Sequence, residues 1–165
     1  MSPSEPVDDV FFEPGPEYWE VTCRGRYSGR RLLAELAAVL PPGLTLYVEG
    51  TSIAPIVAAY FADRPAAHPL PVRSGVIWPR PKAYHMPMTT NNVAGLVELM
   101  EDLAEPEVGD HLHAYRDETA YLIWYDAWFD SPLYLRKDVP EGTVGRLCGA
   151  LGCEYASLPE GPGSG

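Results

Sequence analysis

The sequence predicts an α+β fold, with a mostly antiparallel sheet that includes a C-terminal three-stranded meander and with about four helices packed on one face. Four segments carry apolar residues at helical spacing, and shorter segments with strand-like patterns separate them. Three of the strand-like segments follow one another late in the chain, joined only by tight turns, and such turns connect antiparallel neighbours. The 165 residues suffice for one domain with a substantial core.

The globular domain is expected to span residues 17–156. Residues 1–16 contain four prolines and many acids, and they are predicted to form an extended acidic arm. The last residues, 157–165, end in Gly-Pro-Gly-Ser-Gly and are expected to form a flexible tail. The chain has no internal repeat, so a single globular unit accounts for the rest of its length.

The first half of the domain is predicted to alternate strands and helices. Tyr18–Tyr27 alternates in part between apolar and polar residues, and Leu44–Glu49 is a short apolar run, so both indicate strands. A helix is expected at 29–40, after a serine that can cap it and before a Pro-Pro-Gly sequence that ends it. A second helix is expected at 53–62, with a proline tolerated in its first turn.

The second half of the domain begins with a proline-rich connection, 65–88, whose composition suits edge strands or an irregular functional segment. Helices are predicted at 91–104 and 141–151, because both segments carry an apolar stripe and a glycine follows the second. Between them, 111–137 holds three short apolar segments separated by Asp-Glu and Asp-Ser-Pro turns. This spacing predicts the three-stranded meander.

The chain is strongly acidic. Its 23 acids outnumber its 12 bases, and its formal net charge is −11. Such a surface repels nucleic acid and anionic membranes, because both present phosphate charge. It attracts cations and basic proteins, so the composition favours a protein partner of basic character. The alternative is that the charge serves solubility alone.

The chain has three cysteines, Cys23, Cys148 and Cys153, and no Cys-x-x-Cys pair. Their odd number and spacing predict free thiols in a reducing compartment rather than a disulfide framework. The acidic N-terminus does not resemble a signal peptide, and the chain holds no apolar run long enough to span a membrane. A cytoplasmic location is therefore expected, and the abundance of arginine, alanine, glycine and proline suggests a bacterial protein.

The most unusual segment is DHLHAYRDETAYLIWYDAWFD, residues 110–130, which combines two histidines with a run of aromatic residues. A two-residue turn at Asp117-Glu118 places His113 opposite Leu122 in a hairpin. The face with the histidines then carries His111, His113, Tyr115, Leu122, Trp124 and Asp126, and the opposite, more apolar face carries Leu112, Ala114, Tyr121, Ile123 and Tyr125. A three-residue turn would exchange the two sets, so the prediction depends on the register.

The histidine-bearing face is a candidate catalytic site. Two imidazoles at positions i and i+2 of a strand, His111 and His113, can serve as general acids and bases, with Asp126, Glu49 and His85 as further members. The alternative is that both histidines are structural. An H-x-H pair without a third ligand at short spacing is not a metal motif, so no metal or other cofactor is predicted, and whether the protein is an enzyme stays open.

Aromatic residues in the proline-rich segment and the meander offer a different kind of site. Tryptophan and tyrosine dominate the binding energy of protein interfaces, and here many acids accompany them. The alternative is that they fill the core. The candidate binding residues are Trp78, Tyr84, Tyr115, Trp124 and Trp128.

The leading functional hypothesis from the sequence is a small acidic cytoplasmic protein that binds a protein partner, in the manner of an immunity protein or an adaptor. The competing hypothesis is a metal-assisted or acid–base hydrolase that uses the histidine-bearing face. The two differ in geometry. The enzyme needs its polar groups to converge in one concave pocket, whereas the binding protein needs exposed aromatic residues on a flat or convex patch.

Overall fold

A computed structural model describes residues 9–24, 28–75, 81–128 and 131–160. Within these ranges the chain forms four α-helices and seven strands. The helices are α1 (Gly29–Val39), α2 (Pro55–Ala62), α3 (Thr90–Leu99) and α4 (Glu141–Leu151), and the strands are β1 (Tyr18–Cys23), β2 (Thr45–Gly50), β3 (Lys82–Pro87), β4 (His111–Arg116), β5 (Thr119–Trp124), β6 (Leu133–Arg136) and β7 (Cys153–Ser157).

The seven strands form one sheet in the order β3-β2-β4-β5-β6-β1-β7. All six neighbouring pairs are antiparallel, which confirms the predicted α+β class. β4, β5 and β6 are consecutive both in the chain and in the sheet, so the predicted meander is present. Strands β3 and β7 form the two edges of the sheet.

The helices lie close to their predicted positions because residues that begin or end helices can be recognised in the sequence. The Ser28 side chain accepts a hydrogen bond from the Arg31 N–H at the start of α1, and Gly152 ends α4 in the left-handed conformation. The third helix is shorter than the predicted 91–104. It gives way at Met100 to a 3₁₀ turn, and Leu103 is already extended.

The main core lies between the helices and one face of the sheet. Every helix contributes to it, with Leu36 of α1, Phe61 of α2, Leu96 of α3 and Leu147 of α4 all buried. The sheet contributes the alternate positions that face them, including Leu46, Val48, Leu112, Leu122, Trp124 and Leu135. This arrangement confirms that the helices pack on a single face.

The other face of the sheet is covered by irregular segments. Phe12 of the N-terminal arm is buried there, beside Tyr18, Tyr47 and Ile123. Residues 66–75, which we call the strap, cross the same face. The arm and the strap pair through a parallel bridge between Val10 and Val72, in which the Val10 N–H donates to the Pro71 carbonyl at 2.7 Å and the Arg73 N–H donates to the Val10 carbonyl at 2.8 Å. The central strands of the sheet are therefore covered on both faces, whereas the edge strand β7 stays largely exposed.

The structure corrects the prediction of free cysteines. Cys23 of β1 lies directly opposite Cys153 of β7, and a disulfide with an S–S distance of 2.09 Å joins them. Cys148 alone is free, and it is buried on α4. Strand β7 was not predicted, so nothing in the sequence placed the two cysteines together. Disulfides are typical of oxidising compartments, and the cysteines therefore no longer support a reducing one.

The predicted tail also begins later than expected. Ser157, its first residue, is the last residue of β7, and it lies opposite Trp19 of β1. Residues 161–165 lie outside the described ranges, as do residues 1–8 of the predicted arm. No helix in the described part of the chain is both long and apolar enough to cross a bilayer.

Candidate functional site

The β4–β5 hairpin starts in the predicted register and then leaves it. The turn at its tip is the two-residue turn expected, and Tyr115 lies opposite Ala120. A β-bulge follows, in which Tyr121 has no partner and Ala114 pairs with Leu122. Because one extra residue reverses the alternation of faces, the rest of β5 is inverted relative to the prediction.

The inversion places the histidines on the same face as Ile123. His113 lies directly opposite Ile123, and Leu112 lies opposite Trp124. Leu112 and Trp124 therefore belong to the core beneath the helices, and the predicted sharing of one face by His113 and Trp124 was wrong. The prediction failed because both faces of β5 are covered, one by the helices and the other by the arm and the strap. Residues 120–125, AYLIWY, are apolar at every position, so parity alone could not assign them.

The histidines join residues of neighbouring strands in what we call the polar cluster. Glu49 of β2 lies opposite His111, and Tyr47 of β2 lies opposite both His113 and, on its other side, His85 of β3. The structure thus brings together four of the five predicted catalytic residues. Glu49, His111 and His113 are buried, and His85 is half-buried. The polar cluster consists of Glu49, His85, His111 and His113 with Tyr47, Tyr115 and Tyr125.

Asp126, the fifth predicted member, does not join the cluster. Its side chain is 70% exposed, and its carboxylate lies 4.0 Å from Nδ1 of His111. The closer contact comes from its backbone, since the Asp126 N–H donates to the same Nδ1 at 2.8 Å. His111 therefore holds the end of β5 through the main chain.

Glu49 connects the sheet to the strap. One oxygen of its carboxylate accepts a hydrogen bond from the Ser74 hydroxyl at 2.7 Å, and the other accepts from the Gly75 N–H at 2.8 Å. Burial raises the pKa of Tyr47, and the nearby Glu49 charge and a hydrogen bond to Glu49 raise it further. The carboxylate is buried and already has several donors, which is the condition under which a buried acid is tolerated.

His113 is held in one tautomer. Its Nδ1 accepts a hydrogen bond from the Trp124 N–H at 3.1 Å, so the proton of the neutral ring is on Nε2. Nε2 has no hydrogen-bond partner among the described residues, and the rings of Phe12, Tyr47 and Tyr125 surround the imidazole. Burial, with a smaller contribution from the nearby His111, lowers the pKa of His113 to about 3. The ring is therefore neutral at physiological pH.

The strap approaches His111 closely at Gly75. A Cβ atom at this position would lie 2.9 Å from both Nε2 and Cδ2 of His111 and 3.3 Å from the Tyr125 ring. Only glycine lets the backbone come near enough for its N–H to reach Glu49 without moving the imidazole. The proline-rich segment thus has a specific seat on the polar cluster.

A second polar chain ties the strap to the sheet. The Leu70 N–H donates to the Tyr115 hydroxyl at 3.0 Å, and that hydroxyl lies 2.8 Å from Nδ1 of His85. Burial lowers the pKa of His85, so its ring is neutral and Nδ1 can accept the Tyr115 proton. The hydroxyl of Tyr115 therefore accepts a hydrogen bond from Leu70 and can donate one to His85.

The polar cluster as a whole acts as an anchor for the arm and the strap. Its carboxylate and two of its imidazoles are hydrogen bonded to backbone or to the strap, and its most enclosed ring is neutral. Among the described residues no three His, Cys, Asp or Glu side chains are arranged to hold a metal ion. Acid–base chemistry at this site would require the strap to open first.

The four predicted aromatic anchors within the described ranges do not form one exposed patch. Trp124 and Tyr115 are buried, while Tyr84 and Trp128 are half-buried against the main core. The Trp128 indole N–H donates to the Gly109 carbonyl at 3.2 Å, and the ring lies 4.6 Å from that of Trp124. Trp78 lies outside the described residues. A binding role for these residues stays a prediction.

One prominent concave feature was not predicted. It is an open groove of about 1280 Å³, which we call the groove, at the end of the sheet next to the β4–β5 turn. One wall is formed by α1 and α3, and the other by the first half of the strap. Its lining comes from Ala34, Ala37, Ala38, Val93, Ala94 and Val97 and from residues 40–45, 66–71, 87–90 and 115–118.

Small side chains on two helices form one wall of the groove. Arg30, near the start of α1, donates to the carbonyl of Val97, near the end of α3, at 2.9 Å, so the two helices run in opposite directions. Their facing surfaces carry stripes at helical spacing, with Ala34, Ala37 and Ala38 on α1 and Thr90, Ala94 and Val97 on α3. The alanine spacing was visible in the sequence, and it was missed because alanine is ordinary in any helix.

Of the predicted site residues that the structure describes, Tyr115 alone lines the groove. No protein-family profile, curated protein or solved structure matches this chain. The groove and the polar cluster are therefore the features from which a function is inferred.

Proposed function

We propose that this protein is a small acidic binding protein and that it holds a segment of a protein partner in the groove. The observation that supports this proposal is the groove itself, an open concavity of about 1280 Å³ with mainly apolar walls. Pockets for small molecules are usually about 300–1,000 Å³ and enclose most of their ligand. A larger and more open groove suits a segment of polypeptide better.

The competing function, a metal-assisted or acid–base hydrolase, has less support. Its candidate groups, Glu49, His111 and His113, are buried under the strap and hydrogen bonded. A general base needs to reach the proton it removes within hydrogen-bond distance, and none of these groups lines the groove. The hydrolase therefore remains the second proposal, and it depends on opening of the strap.

An immunity-type or adaptor role fits a small protein of this composition, by analogy alone. The excess of acids disfavours nucleic acid and favours a basic partner. The bacterial cytoplasm remains the proposed location from composition. The Cys23–Cys153 disulfide argues against it, since such bonds are rare in the cytosol.

Site-specific photo-cross-linking in the native host tests the groove as the binding surface. A photoreactive phenylalanine analogue replaces Ala38, which is exposed on the groove wall, or, as a matched control, Ala150, which is exposed on α4 and does not line the groove. We expect one discrete protein adduct from position 38 and none from position 150. The same adduct from both positions, or no adduct from position 38, would contradict the proposal.

A further inference from the structure

The groove ends at the β4–β5 turn, where three charged residues follow one another. The first, Arg116, is already engaged. Its guanidinium donates to the Tyr121 hydroxyl at 2.9 Å and to the Pro42 carbonyl at 3.4 Å, and it lies 5.2 Å from the centre of the Tyr121 ring. These neutral acceptors fix the position of the guanidinium and leave its positive charge in place.

The two acids beside it are not neutralised. Asp117 and Glu118 are exposed at the tip of the turn, and no basic group among the described residues forms an ion pair with either. Both line the groove. The turn end of the groove therefore carries two carboxylates without an ion pair among the described residues, against the single positive charge of Arg116, and this excess of negative charge is an electrostatic match for a further cation.

The position of these carboxylates is set by the hairpin. Arg116 lies immediately before the two acids and Thr119 immediately after them. These two residues pair across the hairpin, so the turn between them is only two residues long. Asp117 has a φ of 53°, a left-handed conformation that aspartate tolerates better than most residues. The acids consequently stay at one end of the groove rather than sweeping over the surface.

The walls suit an apolar chain that approaches closely. The wall formed by the helices carries alanine at positions 34, 37 and 38 of α1 and at 94 of α3. These side chains are small, so an occupant can approach the helix backbones closely. The opposite wall includes Pro69 and Pro71, which lack backbone N–H donors, and the Pro71 carbonyl already accepts the Val10 N–H. Apolar side chains on the occupant would thus meet apolar surface along most of the groove.

The chain's own termini do not fit this description. Residues 1–20 contain six acids and no base, and residues 157–165 contain one acid and no base. Neither of these segments contains a lysine or arginine that could pair with the turn. A separate protein with the opposite charge fits better, and the net charge of −11 would also speed its approach.

We propose that the occupant of the groove is a partner segment with at least two apolar side chains, which lie along the alanine stripes, and an adjacent lysine or arginine, which pairs with Asp117 and Glu118. This inference rests on the proposed function and adds to it the chemistry of the segment that is recognised. It also assigns a distinct role to each end of the groove, apolar contact on the helix side and charge pairing at the turn.

The test uses a phage-displayed library of random linear peptides, selected on the full-length protein. The enriched peptides are then synthesised, and their affinities are measured for the wild type and three double variants. Asp117→Asn with Glu118→Gln removes the two charges at the turn, and asparagine keeps the tolerance for positive φ. Glu101→Gln with Asp102→Asn is the matched control, since it removes two adjacent exposed acids outside the groove. Ala34→Gln with Ala38→Gln fills the helix wall without adding charge.

We expect the enriched peptides to combine apolar residues with a lysine or arginine. Their affinity should fall about threefold to tenfold in the turn variant, a loss that shrinks at high salt, and should be unchanged in the control. Affinity should be lost in the filled-groove variant. Peptides without a base, or affinity unchanged in the turn variant but lost in the filled-groove variant, would overturn this inference and leave the proposed function standing.

Two other outcomes would count against both proposals. The first is the absence of enriched peptides, or peptides that bind the filled-groove variant as well as the wild type. The second is self-association of the wild type that the filled-groove variant loses, measured by sedimentation, which would make a second copy of the chain the occupant.

Discussion

Glu49 of β2 lies directly opposite His111 of β4, and both side chains are buried beneath the strap. Each side chain accepts hydrogen bonds from a different segment of the chain. Glu49 accepts hydrogen bonds from Ser74 and Gly75 of the strap, whereas His111 accepts the N–H of Asp126 at the end of β5. Together they hold two irregular segments against the same face of the sheet.

Glu49→Gln should loosen the strap. The substitution keeps the shape of the side chain but replaces one acceptor oxygen by an N–H₂ group, which then faces a donor of Ser74 or Gly75. We expect a loss of about 1–3 kcal/mol in the free energy of unfolding, together with faster amide exchange at 70–75. Denaturant melts and hydrogen exchange measure the two effects.

Glu154→Gln, on the exposed edge strand β7, is the control and should change stability by about 0.5 kcal/mol or less. Equal losses for the two variants would mean that Glu49 does not hold the strap.

His113 should make stability depend on pH in the acidic range. Burial lowers its pKa from 6.5 to about 3, so between these values the unfolded chain binds a proton that the folded chain does not. The contribution of His113 is therefore fully present above pH 6.5 and is lost as the pH falls towards 3. The slope attributable to this residue is at most about 1.4 kcal/mol per pH unit.

His113→Phe removes this dependence and keeps a ring between Phe12 and Tyr47. The variant should be less stable at neutral pH, because the Trp124 N–H loses its acceptor, and its stability should vary less between pH 6.5 and 4 than that of the wild type. The lowered pKa of His85 acts in the same direction in both proteins, so comparing them isolates His113. Parallel curves of stability against pH would contradict the buried, neutral state.

Loss of the Cys23–Cys153 disulfide should lower stability substantially. The bond joins residues 130 apart in the chain, and closing so long a loop restricts the unfolded state. We expect Cys23→Ala with Cys153→Ala to lose about 3–5 kcal/mol, measured by denaturant melts, and a reductant to have little further effect on the variant. Thiol titration of the unfolded, unreduced wild type should find only Cys148 reactive. Three reactive thiols would show that the bond does not form.

The register of the hairpin can be tested with one pair of variants. Ile123 and His113 are partners across β4 and β5, and both are fully buried. Ile123→Ala should cost about 2–5 kcal/mol, and His113→Ala should cost about 2–4 kcal/mol, because it leaves a cavity and an unpaired Trp124 N–H. The register predicted from the sequence implied a loss of about 1 kcal/mol or less for His113→Ala. Denaturant melts of the two variants distinguish these registers.

The helices were predictable because their signals are local. An apolar stripe and a nearby cap define α1 and α4 without reference to the rest of the chain. The bulge at Tyr121 was not predictable. Both faces of this strand are covered, so residues 120–125 are apolar throughout, and the sequence lacks the alternation of polar and apolar residues that would indicate the register.

The polar cluster was predictable in part and the groove was not. His111 and His113 stood out, but their burial depends on the strap, a segment without periodicity that only the folded chain brings to them. The Cys23–Cys153 bond depends in the same way on pairing across the whole domain. The groove depends on the small size of Ala34 and Ala38, and the absence of a large side chain is a weak signal in a single sequence.

Alanine-methyl NMR tests the central claim, binding in the groove, most directly. Methyl-labelled protein is titrated with a peptide enriched on the wild type, and each methyl group reports its own surroundings. We expect shift changes at the groove alanines, including Ala34, Ala38 and Ala94, and none at Ala150 on α4. Changes centred on Ala150, or spread evenly over the protein with none larger at Ala34 and Ala38, would contradict binding in the groove.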